Sequence, residues 1–377
     1  MIGENKKAVL TSSVGADERQ SSPKITSIVP QNSSNSNWNQ DIYNEYLRMQ
    51  GLAPPLSTFT LTELFDDVYA RRDAIIEGLL YPGTYLFAGP PKIGKSFLMA
   101  QFAYHISTGT PLWGFPVSQG TVLYFALEDD KPRLQDRFYR MFGVGGSDKL
   151  YFVTKANRLG EGLTKQIGAF LTRHPDTRLV IIDTLQKIWD GTDNYNYRQD
   201  YELVSQLKEL SDGNSFSIML VHHTRKLEAS DQFDRISGTN GLFGSADGGF
   251  VIQKEKRTDQ EATLSVTGRD QQDQSLLLSR NSETLCWELR EVETDFYRDP
   301  PEPFLEQVSL FLIEQGGRWE GSSTELKQAL RTDLQPNALS QKLNVNANRL
   351  LKEYGISYSK THRHDGRRIT LRVQEGC

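Results

Sequence analysis

Cysteine is nearly absent from this chain of 377 residues, which has only two, Cys286 and Cys377. They stand far apart, so no disulfide or cysteine–metal framework organises the fold, and a reducing compartment suits the composition. Long hydrophobic runs are missing as well. No apolar stretch approaches about 18 residues, the length needed to cross a bilayer, so no membrane partner is expected. Met1 to Lys7 is polar and lacks the apolar centre of a secretory signal. Positive charge is not in surplus either: 43 Lys and Arg against 48 Asp and Glu leave a formal charge of −5. That excludes a generally sticky nucleic-acid coat, while a local basic surface or a lined channel stays open. These absences point to a cytoplasmic globular protein.

What is present is sharper. Tyr85-Leu-Phe-Ala-Gly89-Pro90-Pro91-Lys92-Ile93-Gly94-Lys95-Ser96 satisfies G-x-x-x-x-G-K-[ST] at every fixed position. It lies between a short apolar strand and the amphipathic stretch Phe97 to Ile106, where such a loop has to lie. Gly89 and Gly94 let the backbone wrap a phosphate with its N–H groups turned inward. A helix starting at Lys95 adds its positive end. Lys95 would reach the β- and γ-phosphates of ATP, and the Ser96 hydroxyl would hold Mg2+. The spacing predicts binding of a nucleoside triphosphate.

Five stretches follow from composition and pattern. Residues 1–45, rich in Ser, Asn, Gln and Lys, read as a disordered or extended tail. Residues 46–83 read as a helical lead-in, with a capping start at Thr62 and a helix over Leu64 to Ile76. Residues 84–297 alternate short apolar strands with helices, the pattern of an α/β domain with a buried, mainly parallel sheet flanked by helices. The strands expected there are Tyr85–Ala88, Val122–Leu127, Tyr151–Val153, Leu179–Ile182 and Ile218–Val221. The later segments Gly249–Lys254, Ala262–Thr267, Ser275–Ser279 and Thr284–Leu289 read as antiparallel strands extending the sheet. Residues 298–303, with three prolines, form a stiff linker to a small domain at 304–377.

Hydrolysis is suggested by three strand ends. Leu179-Val-Ile-Ile-Asp183 finishes a buried strand with a carboxylate that can hold the Mg2+ water shell opposite Ser96. Val122-Leu-Tyr-Phe-Ala-Leu-Glu128-Asp129-Asp130 brings acids to the same edge, and Glu128 can orient an attacking water as general base. The competing use of these acids is to cap the next helix. Ile218-Met-Leu-Val-His222-His223 ends in two adjacent histidines. Neighbouring strand side chains point to opposite faces, so a shared metal is disfavoured and a γ-phosphate sensor fits better.

Taken in order, G-P-P-K-I-G-K-S, V-L-Y-F-A-L-E-D, L-V-I-I-D-T-L, V-H-H-T-R-K and I-S-G-T-N-G-L-F-G-S-A-D resemble the RecA-type ATPase core. The likeness covers about residues 60–290 and is nearest the AAA_25 group, which contains plasmid RepA helicases and is related to DnaB replicative helicases. It implies Glu128 as the catalytic glutamate, Asp183 as the Mg2+-linked aspartate and His223 at the sensor position, where DnaB relatives have glutamine. It also implies a ring, a hexamer in such helicases, in which a neighbour's arginine completes the site. Arg269 matches that finger, whereas Thr267 replaces the lysine of the Lys-x-Arg pattern. Single-stranded DNA contacts would fall on Gln186–Arg198, with Lys187 and Arg198, and on Arg225–Gly241, with Arg225 and Lys226.

The C-terminal stretch reads as a small α+β winged helix. Its helices are Phe304–Glu314 and Ser323–Leu330, the latter capped by Ser322 or Ser323, followed by a turn and amphipathic stretch over Ala338–Tyr354. A hairpin with an Asp-Gly turn closes it. Between Ile356 and Arg372 five basic residues, Lys360, Arg363, Arg367, Arg368 and Arg372, face a single acid, Asp365. Such a wing suits duplex DNA or a replication protein. The expected activity is a replicative, Mg2+-dependent helicase ATPase of a plasmid, phage or integrative element. The rival expectation is a nucleotide-gated DNA-binding adaptor with little motor activity.

Overall fold

The computed structural model describes residues 48–49, 51–53, 55–56, 58–69, 73–189, 197–212, 214–223, 241–256, 258–293, 301–363 and 366–374. The expected tail at 1–45 and residues 298–300 of the expected linker at 298–303 lie outside these residues. The chain divides into two compact units, one ending at Asp66 and one beginning at Asp67.

Within the first unit, helix α1 spans Leu61–Asp66. It is shorter than expected and starts earlier. Thr60, not Thr62, is the cap: its hydroxyl accepts from Glu63 N at 3.2 Å, and Glu63 returns a carboxylate to Thr60 N at 2.6 Å. Such a reciprocal pair satisfies two otherwise unpaired first-turn donors, which sets the start. The apolar residues Ile75 and Ile76 do not prolong the helix; they are fully buried in the second unit beside Leu79 and Leu80.

That unit holds a nine-stranded sheet, in the order β3-β2-β4-β5-β1-β6-β7-β8-β9. Its strands are β1 Gly83–Gly89, β2 Thr121–Ala126, β3 Leu150–Val153, β4 Thr177–Asp183, β5 Ser217–His223, β6 Gly248–Gln253, β7 Glu261–Gly268, β8 Gln271–Arg280 and β9 Trp287–Glu293. Strands β1 to β6 run parallel and β7 to β9 antiparallel. One expectation is corrected here. Strand β6, read as antiparallel, pairs in parallel with β1 over Tyr85–Ala88 and reverses only against β7. It therefore enters the sheet from the same end as β1. The last strand begins at Trp287 rather than Thr284, because Asn281–Leu285 form a turn with Leu285 at φ 62.

Alternation along the central strands explains the three layers. Tyr85, Phe87, Val122, Tyr124, Leu179, Ile181, Met219 and Val221 face one way, against helices α2 (Lys95–Thr108) and α3 (Lys131–Phe142). Leu86, Ala88, Leu123, Phe125, Val180, Ile182, Ile218 and Leu220 face the other, against α4 (Leu163–Arg173), α5 (Leu185–Ile188), α6 (Tyr197–Ser211) and α7 (Gly241–Ser245). Each such buried side chain stabilises by about 1.5–3 kcal/mol, which lets short helices persist that would be marginal alone. This is an α/β fold, a mainly parallel sheet between two layers of helices.

A second, antiparallel sheet, β10-β12-β11, lies near the C-terminus, from Arg318–Gly321, Gly366–Val373 and Ile356–Arg363. Helices α8 (Pro303–Glu314), α9 (Ser323–Leu330), α10 (Pro336–Val345) and α11 (Ala347–Tyr354) cover it, around Leu305, Val308, Leu312, Leu339, Leu350 and Leu371. A capping box with Glu325 makes Ser322 the cap of α9. The amphipathic run Ala338–Tyr354 is split at Asn346, whose side chain donates to the Lys342 carbonyl at 2.9 Å and ends α10. Among the described residues no helix is long and apolar enough to cross a membrane.

The start of β9 is held by an unusual device. Gln101 on α2 acts as a substitute strand neighbour, donating to Trp287 O at 2.8 Å and accepting from Trp287 N at 2.9 Å, all buried. Replacing Gln101 with Met keeps the volume but leaves these groups short of partners. Gln101→Met is expected to lower unfolding free energy by about 1–3 kcal/mol in chemical denaturation.

Candidate nucleotide site

The phosphate loop connects β1 to α2 and needs both its glycines. A Cβ on Gly89 would stand 2.8 Å from the backbone oxygen of Ile252 in the neighbouring β6. Gly94 adopts φ 109, a conformation that L side chains rarely take. Ile93 is buried and anchors the loop from within, while Pro90, Pro91 and Lys92 lie exposed along it. Gly94 caps α2 without any side-chain bond, so the first N–H groups of the helix remain available to an anion.

Strand register brings the remaining groups to this edge. Gly89 pairs with His223 across β1 and β5, and Ala126 pairs with Asp183 across β2 and β4. Lys95, buried beneath the loop, donates to Gly89 O at 2.8 Å and Pro90 O at 3.1 Å, and lies 2.9 Å from His223 Nδ1. Burial lowers the Lys95 ammonium to about 8, with Asp183 and Glu128 pulling it back up. Burial, and then the nearby Lys95, push His223 below its ordinary value, so at neutral pH its Nδ1 accepts from the ammonium.

Asp183 is only 4% exposed. Burial raises its carboxyl, and hydrogen bonds from Ser96 and Tyr124 oppose the rise, the Tyr124 hydroxyl donating at 3.1 Å. The peptide bond from Asp183 to Thr184 is cis. Thr184 then turns its hydroxyl onto Glu128 Oε1 at 3.1 Å.

The three consecutive acids after β2 have separate tasks. Asp130 caps α3, accepting from Arg133 N at 2.9 Å. Asp129 forms a buried pair with Arg137 at 2.5 Å. Glu128 does neither; its carboxylate stays exposed at the cleft beside Thr184. The helix-capping use of these acids is real, but it belongs to Asp130.

Arg269 is not part of its own chain's cleft. It follows Gly268, which pairs with Gly248 of β6, and Gly248 in turn pairs with Tyr85. Tyr85 is four residues before Gly89, about 13 Å along the strand. Arg269 therefore lies toward the opposite edge of the sheet, largely exposed, with a guanidinium nitrogen 3.6 Å from Asp247 Oδ1. Asp247 also accepts from Thr84 N at 2.9 Å and pairs with Lys208. Among the DNA candidates, Lys187 is exposed on α5 and Arg367 on β12, and Arg368 is half-buried. Arg198 and Arg363 have backbones in α6 and β11, but their side chains lie outside the described residues, as do Arg225 and Lys226 altogether.

Several residues of this neighbourhood escaped sequence reasoning: Tyr124, Lys254, Arg280 and Trp287. Tyr124 had a weak signal, a hydroxyl inside an otherwise apolar strand. The others arrive from strands distant in sequence and carry no fixed spacing to the loop.

Two outcomes are expected. Glu128→Gln should cut turnover by about 10²–10⁴-fold with ATP affinity retained, read by steady-state hydrolysis and calorimetry. Because ATP needs the charged Lys95, affinity should be full below about pH 8, where the free ammonium is protonated, and decline above it. Titrations across that range check the second, and Lys95→Arg should abolish the decline.

Residues 53–229 match the AAA_25 family, an AAA domain. Among solved structures, one ATPase domain aligns over 69% of this chain and 100% of its own, at 15% identity and TM-score 0.47. A DnaB-like replicative helicase, described with its interactions with primase, aligns over 67% and 72%, at 13% identity and TM-score 0.49. A KaiC-like protein from Pyrococcus horikoshii OT3 aligns over 59% and 100%, at 15% identity and TM-score 0.44. No curated protein matches the chain. The phosphate loop, the buried aspartate and the cleft glutamate thus meet at one sheet edge within residues 53–229, the part of this chain that is similar to the AAA_25 family.

Proposed function

We propose that this ATPase assembles as a ring, a hexamer, and acts as a helicase motor on single-stranded DNA in replication. The observation that carries the reading is the separation between the cleft and Arg269. Lys95, Ser96, Asp183, Glu128 and His223 gather at one edge of the sheet, whereas the candidate finger lies toward the other. An arginine so placed serves a neighbour's site, which favours an intersubunit enzyme. The replication setting, in a plasmid, phage or integrative element, rests on the resemblance of the motifs to RepA and DnaB helicases.

Ser96 and Asp183 suit Mg2+. The buried Asp183 carboxylate, raised by desolvation, gains from a nearby cation, and this metal needs few protein ligands beside phosphates and water. When bound, Mg2+ would supply charge neutralisation to the phosphates. The chain's residues do the rest. Glu128, held by Thr184, orients a water in line with the γ-phosphate and accepts its proton. Lys95 leaves the Gly89 and Pro90 carbonyls for phosphate oxygens. His223, which shares Lys95, then registers whether the γ-phosphate is present. A partner's Arg269 stabilises the charge that develops on transfer.

The α8–β12 region, proposed as a winged helix, offers a basic outer face. Ile369 and Leu371 turn into its core, so Arg368 and Arg372 turn out, and Arg372 sits opposite Arg318 of β10. Like charges facing each other across a ladder favour an anionic partner. This feature favours the second reading, a nucleotide-gated adaptor that holds duplex DNA.

ATPase rates with and without single-stranded DNA, with mass measured in nucleotide, test the choice. The motor is expected to be a ring-sized species whose hydrolysis is DNA-stimulated and falls about 10³-fold or more in Arg269→Ala. A slow, DNA-indifferent rate from a monomer or dimer, with duplex binding lost in Arg367→Ala/Arg368→Ala, would establish the adaptor instead.

A further inference from the structure

We propose that Arg280, at the end of β8, is a phosphate-binding residue of the same site, contacting the α-phosphate of the bound nucleoside triphosphate. The proposal rests on the nucleotide-site reading and adds to it a cation from outside the phosphate-loop, aspartate and glutamate motifs.

Topology delivers Arg280 to the loop. Strand β8 runs antiparallel to β7 and ends at the edge where β1 and β6 also finish. A side-chain carbon built on Gly94 would lie 3.5 Å from an Arg280 guanidinium nitrogen and 3.1 Å from the Trp287 ring. The guanidinium lies over the Phe97 ring, 4.4 Å from its centroid, and 5.9 Å from that of Trp287. Phe97 directly follows Ser96 on the first turn of α2. In such loops the lysine serves the β- and γ-phosphates and the loop backbone the α- and β-phosphates. Strand β8 lies on the far side of β1 from β4 and β2, whose Asp183 and Glu128 mark the reacting end. Arg280 therefore stands at the α end of the triphosphate, opposite the reacting end.

Its charge has no counterpart. Among the described residues Arg280 makes no ion pair, and its Nε donates at 3.4 Å to the Leu285 carbonyl. The contrast with Arg137 is instructive. That guanidinium also lies over Phe97, at 5.1 Å, but Asp129 neutralises it. The charges nearest Arg280 among the described residues are the cations Arg140 and Lys254, the second of them facing Asp259. Among the described residues Arg140 bonds to the carbonyls of Ser282 and Glu283, and Lys254 lies over the other ring of the pair, Trp287, at 5.6 Å. Burial and Arg140 together lower the Arg280 guanidinium, and no acid opposes them. A half-buried guanidinium held by two rings next to an anion site, with no carboxylate, is arranged to receive phosphate oxygens.

The α-phosphate does not react, so its contact should be equally strong before and during transfer. Arg280→Gln should therefore raise KM with kcat at saturation little changed. The direct test is calorimetric titration of the full chain with ATP and ADP, and with inorganic tripolyphosphate in competition. The variant is expected to weaken all three by about 10–100-fold, the span of a charge-assisted hydrogen bond. Arg280→Lys, which keeps the charge and the stem over Phe97 but loses the fork, is expected to fall between. Unchanged ATP and ADP affinities overturn the proposal. So does weakening of ATP with tripolyphosphate unaffected, which would move the contact to the base. A nucleotide-free melting temperature that falls in step with affinity in both variants assigns Arg280 to packing and also overturns it. Failure of the wild-type chain to bind ATP would strike the nucleotide-site reading itself.

Discussion

The position of the Lys95 ammonium is the constraint on which the rest of the structure depends. A lysine beneath a glycine loop must lose most of its water, and that loss is costly unless hydrogen-bond acceptors surround it. Here Gly89 O, Pro90 O and His223 Nδ1 provide them. These acceptors exist only if β1 and β5 are neighbours in parallel and in register, because His223 must stand beside Gly89. The same parallel order brings Asp183 to the end of β4 and Glu128 just past the end of β2. One buried charge thus links the sheet order to the chemistry.

The edge is electrically divided. Toward β4 and β2 it is acidic, with Asp183 and Glu128 facing Lys95. Toward β8 it is basic, with Arg280, Lys254 and Arg140. A metal-bound triphosphate matches this polarity, its metal side toward the acids and its nucleoside side toward the cations. Rings separate the two halves: Phe97 lies between Arg137 and Arg280, the first neutralised and the second not. The opposite edge has its own anchor in Asp247, which holds the start of β1 through Thr84 and reaches Arg269. Strand β1 therefore connects the loop at one end with the neighbourhood of the candidate finger at the other.

Much of this was legible in the residue order. The phosphate loop, the strand ending in Asp183, the cleft acid Glu128 and the alternation of strands with helices are local patterns, because each depends on a few consecutive residues. The misreadings have a common cause. The direction of β6 is decided by its partners β1 and β7, and nothing inside Gly248–Gln253 distinguishes parallel from antiparallel. Ile75 and Ile76 had helical spacing, yet burial beneath the sheet gains more than one further exposed turn.

The sequence by itself determined that a phosphate-loop motif, a strand ending in aspartate and a nearby glutamate exist in this chain, since backbone conformation and strand ends are local properties. Only the tertiary structure decided which of three adjacent acids was left for the cleft, because Asp129 and Asp130 were claimed by Arg137 and by the first turn of α3. It also decided that Arg280 stands at the loop while Arg269 does not. The reason is that pairing order, not sequence distance, sets which strand ends share an edge.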